Sequence, residues 1–496
     1  MSMPDLIVRG GRVIDPESGR DEIADVAVSG DRVIDIGNEL APAPVELDAA
    51  GHVVTAGFID LHSHVNGVAG LRLQAMDGVT TALELEAGVT PVDAAYRQAA
   101  AEGRPVNFGF ATSWALARME AVAGVKLDGR LSTFLDNIAR PEWQRSATPA
   151  QVGAVLDRLA ADLADGAIGI GVLIGYAPGS DPAEYLQMAG VAAAAGAPTF
   201  THARDLIEMV PGTAIDGAEE IVRAAAETGA QMHYCHVNST SNRYADRVLD
   251  LVARAQQAGA RVSTEAYPYG SGMTGIGAAF LAPERLAERG LTPQSLTFAP
   301  TGERIANAGR LRELRATDPG GLVIIKQLDE DDPADRELLL RSLIFPDAIV
   351  ASDAMPLTWS KAGSGAAPDP MAWPVSADAV THPRTAGTFS RSLRMLAGPG
   401  GPLGLTETLR RCSLLPARLL QDRVPAMRAK GRLQPGSDAD LVVFDPAAVS
   451  DQATYAVSTR PSTGMKHVLV NGTPVVRDGA MVTAALPGRP VRAAPR

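Results

Sequence analysis

The sequence is poor in cysteine, has no long apolar run and carries no excess of positive charge. Only two cysteines, Cys235 and Cys412, occur among 496 residues, so no disulfide framework is indicated and a reducing compartment is the simpler expectation. No apolar stretch reaches the roughly 18 residues that span a bilayer, and the N-terminus lacks the basic and apolar segments of a leader peptide. The net charge of -12 argues against nucleic acid, because a phosphate backbone needs a basic face. We expect a cytoplasmic protein that acts on a small molecule, and leave open whether it forms a homo-oligomer.

Both ends of the chain carry short segments of alternating polar and apolar residues. In residues 5–57 these segments are separated by turns rich in Gly, Ser and Asp, which is typical of β-hairpins. Near the C-terminus, Asp440 to Phe444 is a strand candidate and Asn471-Gly472 marks a tight hairpin turn. Because an isolated hairpin is only marginally stable, we predict that residues 1–57 and 431–496 complete one small β-sandwich domain.

Between the two ends, apolar strand candidates alternate with Ala-rich helical stretches. This alternation favours a parallel sheet covered by helices. The best-marked helix has Thr148 as N-cap, Pro149 at its first position and Gly166 just past its end. The eight strand candidates are Phe58 to Val65, Thr80 to Ala87, Val106 to Ser113, Ile168 to Ile174, Pro198 to His202, Gln231 to Asn238, Arg261 to Tyr269 and Ala348 to Asp353.

Eight such units predict an α/β protein whose centre, residues 58–430, is a distorted (β/α)₈ TIM barrel. The connection between the seventh and eighth strands is long and carries its own helical and strand-like stretches. We therefore expect an insertion at about residues 283–345 that covers the barrel mouth.

The motif Asp60-Leu61-His62-Ser63-His64 stands at the end of the first predicted strand. Side chains alternate along a strand with a period of two, so His62 and His64 point to the same side and can bind one metal ion. A lone His-x-His is weak evidence. Its position matters here, because a barrel carries its catalytic groups at the C-terminal ends of its strands.

Three further polar residues stand at or near such strand ends. The chain has only eight histidines, and His202 and His236 close the fifth and sixth strands, while Asp353 closes the eighth. Each residue alone could be an ordinary hydrogen-bonded polar group. Five at the same end of one barrel make that interpretation improbable, and together they predict a metal centre.

This pattern resembles the amidohydrolase superfamily, and most closely its N-acyl-D-amino-acid deacylase (D-aminoacylase) family. The likeness runs nearly end to end and spans both domains. The segments that carry it, besides the His-x-His motif, are Gly175-Tyr176-Ala177-Pro178-Gly179, Thr201-His202-Ala203-Arg204, Tyr267-Pro268-Tyr269, Ser352-Asp353, His382-Pro383-Arg384, Gly387-Thr388-Phe389 and Gly436-Ser437-Asp438-Ala439-Asp440.

The resemblance implies one or two divalent metal ions, usually zinc, whose bound water is acidified enough to attack near neutral pH. His62 and His64 would hold one metal position, and His202 and His236 the other. Asp353, itself a metal ligand, would take a proton from the attacking water and deliver it to the departing amine.

The sequence departs from the family where the remaining ligand is expected. The segment from Ile168 to Tyr176 has no lysine to be carboxylated, and Ala87 stands where D-aminoacylases carry a cysteine. A glutamate is the natural substitute, since its two oxygens could bridge two metal ions. We favour Glu86, which lies nearer the strand end, with Glu84 as the alternative; either could instead be a buried partner of a basic residue.

The residues that would bind substrate are also carried over from the resemblance. Arg384 matches the family arginine that contacts the substrate carboxylate, although a structural salt bridge is a competing interpretation. Tyr176 and Tyr267 match pocket tyrosines, and Thr274 would replace a family serine. Asn238 stands where the family commonly has a lysine, which puts the substrate preference in question.

We thus expect metal-dependent hydrolysis of the amide bond of N-acyl-D-amino acids. The same centre could serve a dipeptide, a cyclic amide or a deamination, because the pocket decides the substrate. A non-catalytic barrel scaffold is the remaining alternative, although a scaffold has no need to keep five metal-site residues.

Overall fold

The computed structural model describes residues 3–359 and 369–495. The chain starts with antiparallel hairpins, as its alternating pattern predicts. Leu6 pairs with Val28 and Asp15 with Arg20, and a bulge between Val8 and Gly11 bends the first strand. These N-terminal strands are β1 (Leu6–Asp15), β2 (Arg20–Ser29), β3 (Arg32–Gly37), β4 (Val45–Asp48) and β5 (Val53–Ala56).

Eight parallel strand positions then form the predicted barrel. They pair in chain order, in one run of three strands and a second run that ends at the eighth position. The backbone N–H of Ser352 donates to Asp60 Oδ1 at 3.0 Å, which joins the eighth position to the first. The strands are β6 (Phe58–Asp60), β7 (Val79–Glu84), β8 (Asn107–Phe110) continued by β9 (Thr112–Ser113), β10 (Ile170–Val172), β11 (Thr199–Thr201), β12 (Met232–Tyr234), β13 (Val262–Ala266) and, after the insertion, β18 (Ile349–Val350).

The barrel strands are shorter than the sequence predicts. The first ends at Asp60 rather than Val65, and the eighth ends at Val350 rather than Asp353. Beyond these ladders, isolated bridges pair His62 with Glu84 and Ser63 with Ala354 where the chain enters the barrel mouth. This is the end of the barrel where the predicted site residues lie.

The insertion was predicted at about residues 283–345, but both of its observed bounds lie closer to the N-terminus. Its four strands form an antiparallel sheet in the order β14-β17-β15-β16, which starts directly after the seventh barrel position at Ser271 rather than near residue 283. The helix Pro333–Ile344, predicted as part of the insertion, instead packs against the helix before β13 as a barrel helix. The strands are β14 (Ser271–Gly275), β15 (Leu296–Phe298), β16 (Glu303–Arg304) and β17 (Leu322–Lys326), and a short ladder after β18 pairs β19 (Thr358–Trp359) with β20 (Ala379–Val380).

Helices surround the barrel. The predicted helix after β9 is confirmed, with Thr148 and Gln151 forming a reciprocal capping box. No helix in the described ranges is long and apolar enough to cross a membrane. The helices are α1 (Val68–Met76), α2 (Val92–Glu102), α3 (Trp114–Ala123), α4 (Leu131–Asn137), α5 (Pro149–Ala164), α6 (Pro182–Ala195), α7 (Gly217–Thr228), α8 (Val237–Thr240), α9 (Ala245–Gln257), α10 (Ala308–Thr317), α11 (Pro333–Ile344), α12 (Arg384–Ala397), α13 (Leu405–Leu409) and α14 (Leu415–Leu420).

The two ends of the chain meet in a single nine-stranded sheet, as the predicted β-domain built from both chain ends requires. Its C-terminal strands are β21 (Leu441–Phe444), β22 (Met465–Val470), β23 (Thr473–Arg477) and β24 (Ala480–Met481). β21 pairs antiparallel with β5, and side chains from seven strands share one apolar core, so the sheet encloses its own core. The segment after the sheet leaves this domain, because Val491 N donates to Phe108 O on the barrel at 2.7 Å.

Candidate metal centre and active site

Five of the predicted site residues converge at one end of the barrel. Each follows the last residue of a barrel strand: His62 and His64 follow β6, His202 follows β11, His236 follows β12 and Asp353 follows β18. His236 and Asp353 have positive φ values of 32° and 49°. Such backbone is unfavourable for residues other than glycine and is concentrated at functional sites, where the surrounding structure holds it.

Glu86 lies between the two histidine pairs. Its Oε2 is 3.2 Å from His62 Nε2 and 3.6 Å from His64 Nε2. Its Oε1 is 3.2 Å from His202 Nδ1 and 2.6 Å from His236 Nε2. Ligand atoms on a tetrahedral zinc ion, with bonds of about 2.0–2.1 Å, lie roughly 3.3 Å apart. Glu86 can therefore complete a metal-binding group with either histidine pair.

Asp353 lies beside the same groups. Its Oδ1 is 3.5 Å from His62 Nε2 and 3.5 Å from His64 Nε2. With His62 and His236 it forms a further group whose ligand atoms could hold one ion. The side chain also faces the cavity described below, so it can contact both an ion and a bound molecule.

Glu84, the alternative to Glu86, has a different partner. Both of its carboxylate oxygens accept from His64 Nδ1, at 2.9 and 3.0 Å. This contact leaves the Nε2 atom of His64 directed at Glu86. Such outer carboxylates fix the tautomer and orientation of metal-binding histidines. The geometry thus places Glu86 between the two histidine pairs and Glu84 behind His64.

Glu265 on β13 is a site residue that the sequence analysis missed. It accepts a hydrogen bond from His62 Nδ1, and its second oxygen lies 3.0 Å from His233 Nε2. The backbone N–H of His236 also donates to it at 3.3 Å. Glu265 therefore contacts one member of each histidine pair. The available signal was an acidic residue inside the buried strand Val262–Ala266, which sequence reasoning did not single out.

The electrostatics of the centre suit a cation. Burial by itself would raise the pKa of Glu86, but the histidines around it hold that pKa well below its usual value. Burial would lower the pKa values of His62 and His64, yet the carboxylates around them raise both well above normal. The buried carboxylates thus require positive charge beside them, which protons on histidine or a divalent ion can provide.

A cavity of about 70 Å³ opens onto these groups. Tyr176, Tyr267 and Thr274, all predicted to bind substrate, line it. The Tyr176 hydroxyl lies 2.8 Å from Thr274 Oγ1, which fixes the two side chains relative to each other. The Tyr267 hydroxyl is buried and makes no well-formed hydrogen bond within the described ranges.

Arg384 does not line this cavity. It is fully buried, its Nη2 lies 2.7 Å from Asp353 Oδ2, and its guanidinium stacks 4.6 Å from the centre of the Tyr267 ring. The salt bridge that competes with a substrate role is therefore present. Its Nη1, however, has no hydrogen-bond partner in the part of the chain that the structure describes, which leaves one donor for a ligand.

Arg289, which sequence reasoning did not single out, is the arginine that lines the cavity. It comes from the insertion, stacks 4.4 Å from the centre of the Phe280 ring and pairs with Asp205. Asn238, where the family commonly has a lysine, accepts from the Tyr267 backbone N–H at 3.3 Å and does not line the cavity. The insertion thus supplies a cation to the cavity.

Known proteins resemble this chain along almost its whole length. A model of the amidohydrolase family matches residues 45–476. An N-acyl-D-glutamate deacylase of Alcaligenes xylosoxydans xylosoxydans is 29% identical, with 95% of this chain and 93% of that protein aligned. A D-aminoacylase of the same organism is also 29% identical, over 96% of this chain and 95% of its own length.

Two solved structures share the fold. One is a D-aminoacylase with a binuclear metal centre, which has a TM-score of 0.76 and 24% identity, and covers 99% of this chain and 100% of its own. The other is an N-acyl-D-glutamate deacylase of Bordetella bronchiseptica with zinc and a phosphonate inhibitor, at a TM-score of 0.75, 25% identity and the same coverage.

Proposed function

The chain belongs to the amidohydrolase family, and we propose that it is a zinc-dependent deacylase that hydrolyses the amide bond of N-acyl-D-amino acids. The observation that carries the proposal is the position of Glu86, with one carboxylate oxygen toward each histidine pair and Asp353 beside them. The nearly full-length similarity to an N-acyl-D-glutamate deacylase and a D-aminoacylase supports the substrate class.

The residues present fit zinc. Imidazole nitrogens and carboxylate oxygens are its usual ligands alongside thiolate, and the ligand atoms of Glu86 and each histidine pair lie within 4.8 Å of one another. His62, His64 and Glu86 would hold one ion, and His202, His236 and Glu86 a second. Bound zinc supplies a Lewis acid that lowers the pKa of water and polarises an amide carbonyl.

Asp353 is the group that moves protons. Oδ1 faces the histidines, and the side chain lines the cavity, so a water molecule and the amide nitrogen can both come within its reach. The carboxylate accepts a proton as water attacks the carbonyl carbon, and the C–N bond breaks as that proton passes to nitrogen. This transfer is needed because an amine anion is a very poor leaving group.

The substrate carboxylate would be bound by Arg384 and Tyr267. Each has one buried polar atom without a well-formed hydrogen bond among the described residues, Nη1 of Arg384 and the hydroxyl of Tyr267. The Arg384 guanidinium stacks 4.6 Å from the centre of the Tyr267 ring, and a guanidinium can bind a carboxylate with charged hydrogen bonds. Tyr176 and Thr274, hydrogen-bonded to each other, would line the adjoining wall.

The test is amine release from a panel of N-acetyl and N-formyl D- and L-amino acids by zinc-loaded protein, with chelated protein as control. We expect metal-dependent release from the D-substrates only. Release from L-substrates at equal rates would contradict the proposed stereochemistry. No release from any substrate, with zinc bound, would overturn the deacylase assignment and direct the search to dipeptides, cyclic amides and deaminations.

A further inference from the structure

A second cavity lies against the metal-facing one. It has a volume of about 310 Å³, compared with about 70 Å³ for the first. The two cavities share four lining residues, namely His64, Leu131, Leu135 and Pro356. Because His64 is one of the proposed metal ligands, the second cavity begins at the reaction centre.

The two cavities lie on different sides of that centre. Tyr267, which is proposed to bind the substrate carboxylate, lines only the first cavity, together with Thr274 and with Ile325 from the insertion. The second is lined by the segments after β6 and β7, by α2 and the start of α4, and by the segment after β18. A substrate whose carboxylate lies on the insertion side must direct its acyl group away from it.

The wall of the second cavity is mainly apolar and built from small residues. Ala69 and Gly70 on α1 and Ala95 and Ala99 on α2 leave the space open, and all four are buried. Leu357, Trp359 and Phe110 add apolar surface. Two arginines also line this cavity, and both already have partners: Arg104 pairs with Glu102, and Arg130 Nε donates to Gln98 Oε1. An aliphatic chain would therefore gain from the apolar part of the wall, because burying methylene groups is favourable.

We propose that this second cavity receives the acyl group of the substrate, and that the enzyme prefers aliphatic acyl chains longer than acetyl. The proposal rests on the proposed deacylase function and adds the identity of the acyl group to it. Substrate binding across both cavities places the amide carbonyl beside His64, where they meet.

The experiment compares kcat/KM of zinc-loaded protein for N-octanoyl-D-leucine and N-acetyl-D-leucine. We expect the octanoyl substrate to be favoured by about tenfold or more, since one well-buried methylene can be worth about tenfold. The substitution Ala99→Leu should remove at least about tenfold of the octanoyl rate by filling the cavity, and change the acetyl rate less than about twofold. Ala95→Leu provides a second filled variant, and Ala100→Leu, on the exposed side of the same helix, is the matched control.

Binding of octanoate, measured by calorimetry on zinc-loaded protein with acetate for comparison, does not depend on turnover. Octanoate should bind more tightly than acetate, and Ala99→Leu should abolish the difference. Acetyl hydrolysis without an octanoyl preference would overturn this inference and leave the deacylase function standing. Failure to hydrolyse either substrate would count against that function, while octanoate binding sensitive to Ala99→Leu would still support the cavity assignment. Equal binding of octanoate to the wild type and to Ala99→Leu would overturn the assignment of the second cavity to the acyl group.

Discussion

Arg384 Nη2 lies 2.7 Å from Asp353 Oδ2, so the proposed proton carrier and the proposed carboxylate-binding residue form one buried ion pair. Burial by itself would raise the pKa of Asp353, but the charges of Arg384 and His62 lower it to about 2. The carboxylate is therefore ionised at neutral pH. A change at either residue is expected to alter the other.

Replacing Asp353 with asparagine removes the proposed proton carrier while keeping the size of the side chain. We expect Asp353→Asn to retain zinc and to lose turnover by about 10²–10⁴-fold, the usual contribution of a general acid–base group. Metal analysis and steady-state kinetics on the same preparation measure both properties. Asp478→Asn, at an exposed aspartate, is the control. Substantial activity in Asp353→Asn would exclude the proton-transfer role.

Substitutions of Glu84 and Glu86 are expected to change the metal content of the protein to different extents. Glu86 contacts both histidine pairs, so Glu86→Gln should lose most of the bound metal. Glu84 contacts only Nδ1 of His64 among these histidines, so Glu84→Gln should weaken metal affinity by about 10–100-fold and still load at high zinc. Metal stoichiometry after dialysis against graded zinc concentrations distinguishes them. The reverse order would show that Glu84 is the ligand.

Glu265 acts through His62, and its removal should lower metal affinity rather than the chemistry of the loaded enzyme. Glu265→Gln is expected to weaken zinc binding by about 10–100-fold, because the amide cannot accept from both His62 and His233 as the carboxylate does. Competition with a chromophoric chelator measures this affinity. Saturating zinc should restore most of kcat, whereas Glu337→Gln at the surface should change neither value.

Comparing a substrate that has a carboxylate with one that lacks it distinguishes the roles of Arg384 and Arg289. If Arg384 binds it, Arg384→Met should lower the ratio of kcat/KM for an N-acyl-D-amino acid over its carboxamide by about tenfold or more, as expected for a charged hydrogen bond. Arg289→Met should leave that ratio nearly unchanged. Loss of the ion pair with Asp353 affects both substrates alike, so its effect cancels in the ratio of their kcat/KM values. The opposite pattern would assign the carboxylate to Arg289.

Asp77 gives a stability prediction away from the metal centre. Burial raises its pKa to about 7, although Ser390, Ser462 and the Phe389 N–H donate to it. Because the folded-state pKa lies above the unfolded value, the associated stability is complete below about pH 4 and is lost as the pH rises through 7. The unfolding free energy of the wild type, minus that of Asp77→Asn, should fall by a few kcal/mol over this range. Urea denaturation at several pH values measures it, and a difference independent of pH would contradict the assignment.

Local sequence patterns were sufficient for much of the fold. Alternation of apolar strands with Ala-rich stretches predicted eight barrel positions, and the capping signals around Thr148 predicted a helix that the structure confirms. The spacing of His62 and His64 placed both on one side of the first strand position. These features depend on residues close together in the chain, where side-chain periodicity and capping follow from backbone geometry.

Contacts between distant segments were beyond such patterns. The insertion was placed too late because Ser271–Gly275 becomes a strand only by pairing with Leu322–Lys326. The carboxylate of Glu265 meets His62 across 203 positions of sequence, and no local signal marks that contact. Arg289 reaches the cavity because the insertion folds over the barrel mouth.

The sequence by itself determined that this chain builds a barrel with histidines and an aspartate at its strand ends, because strand periodicity and turn chemistry act over a few residues. Only the tertiary structure decided which glutamate lies between the histidine pairs, which arginine lines the cavity and where a second cavity opens. Those features depend on how loops from different strands pack together, and the energy of that packing is not written in any single segment.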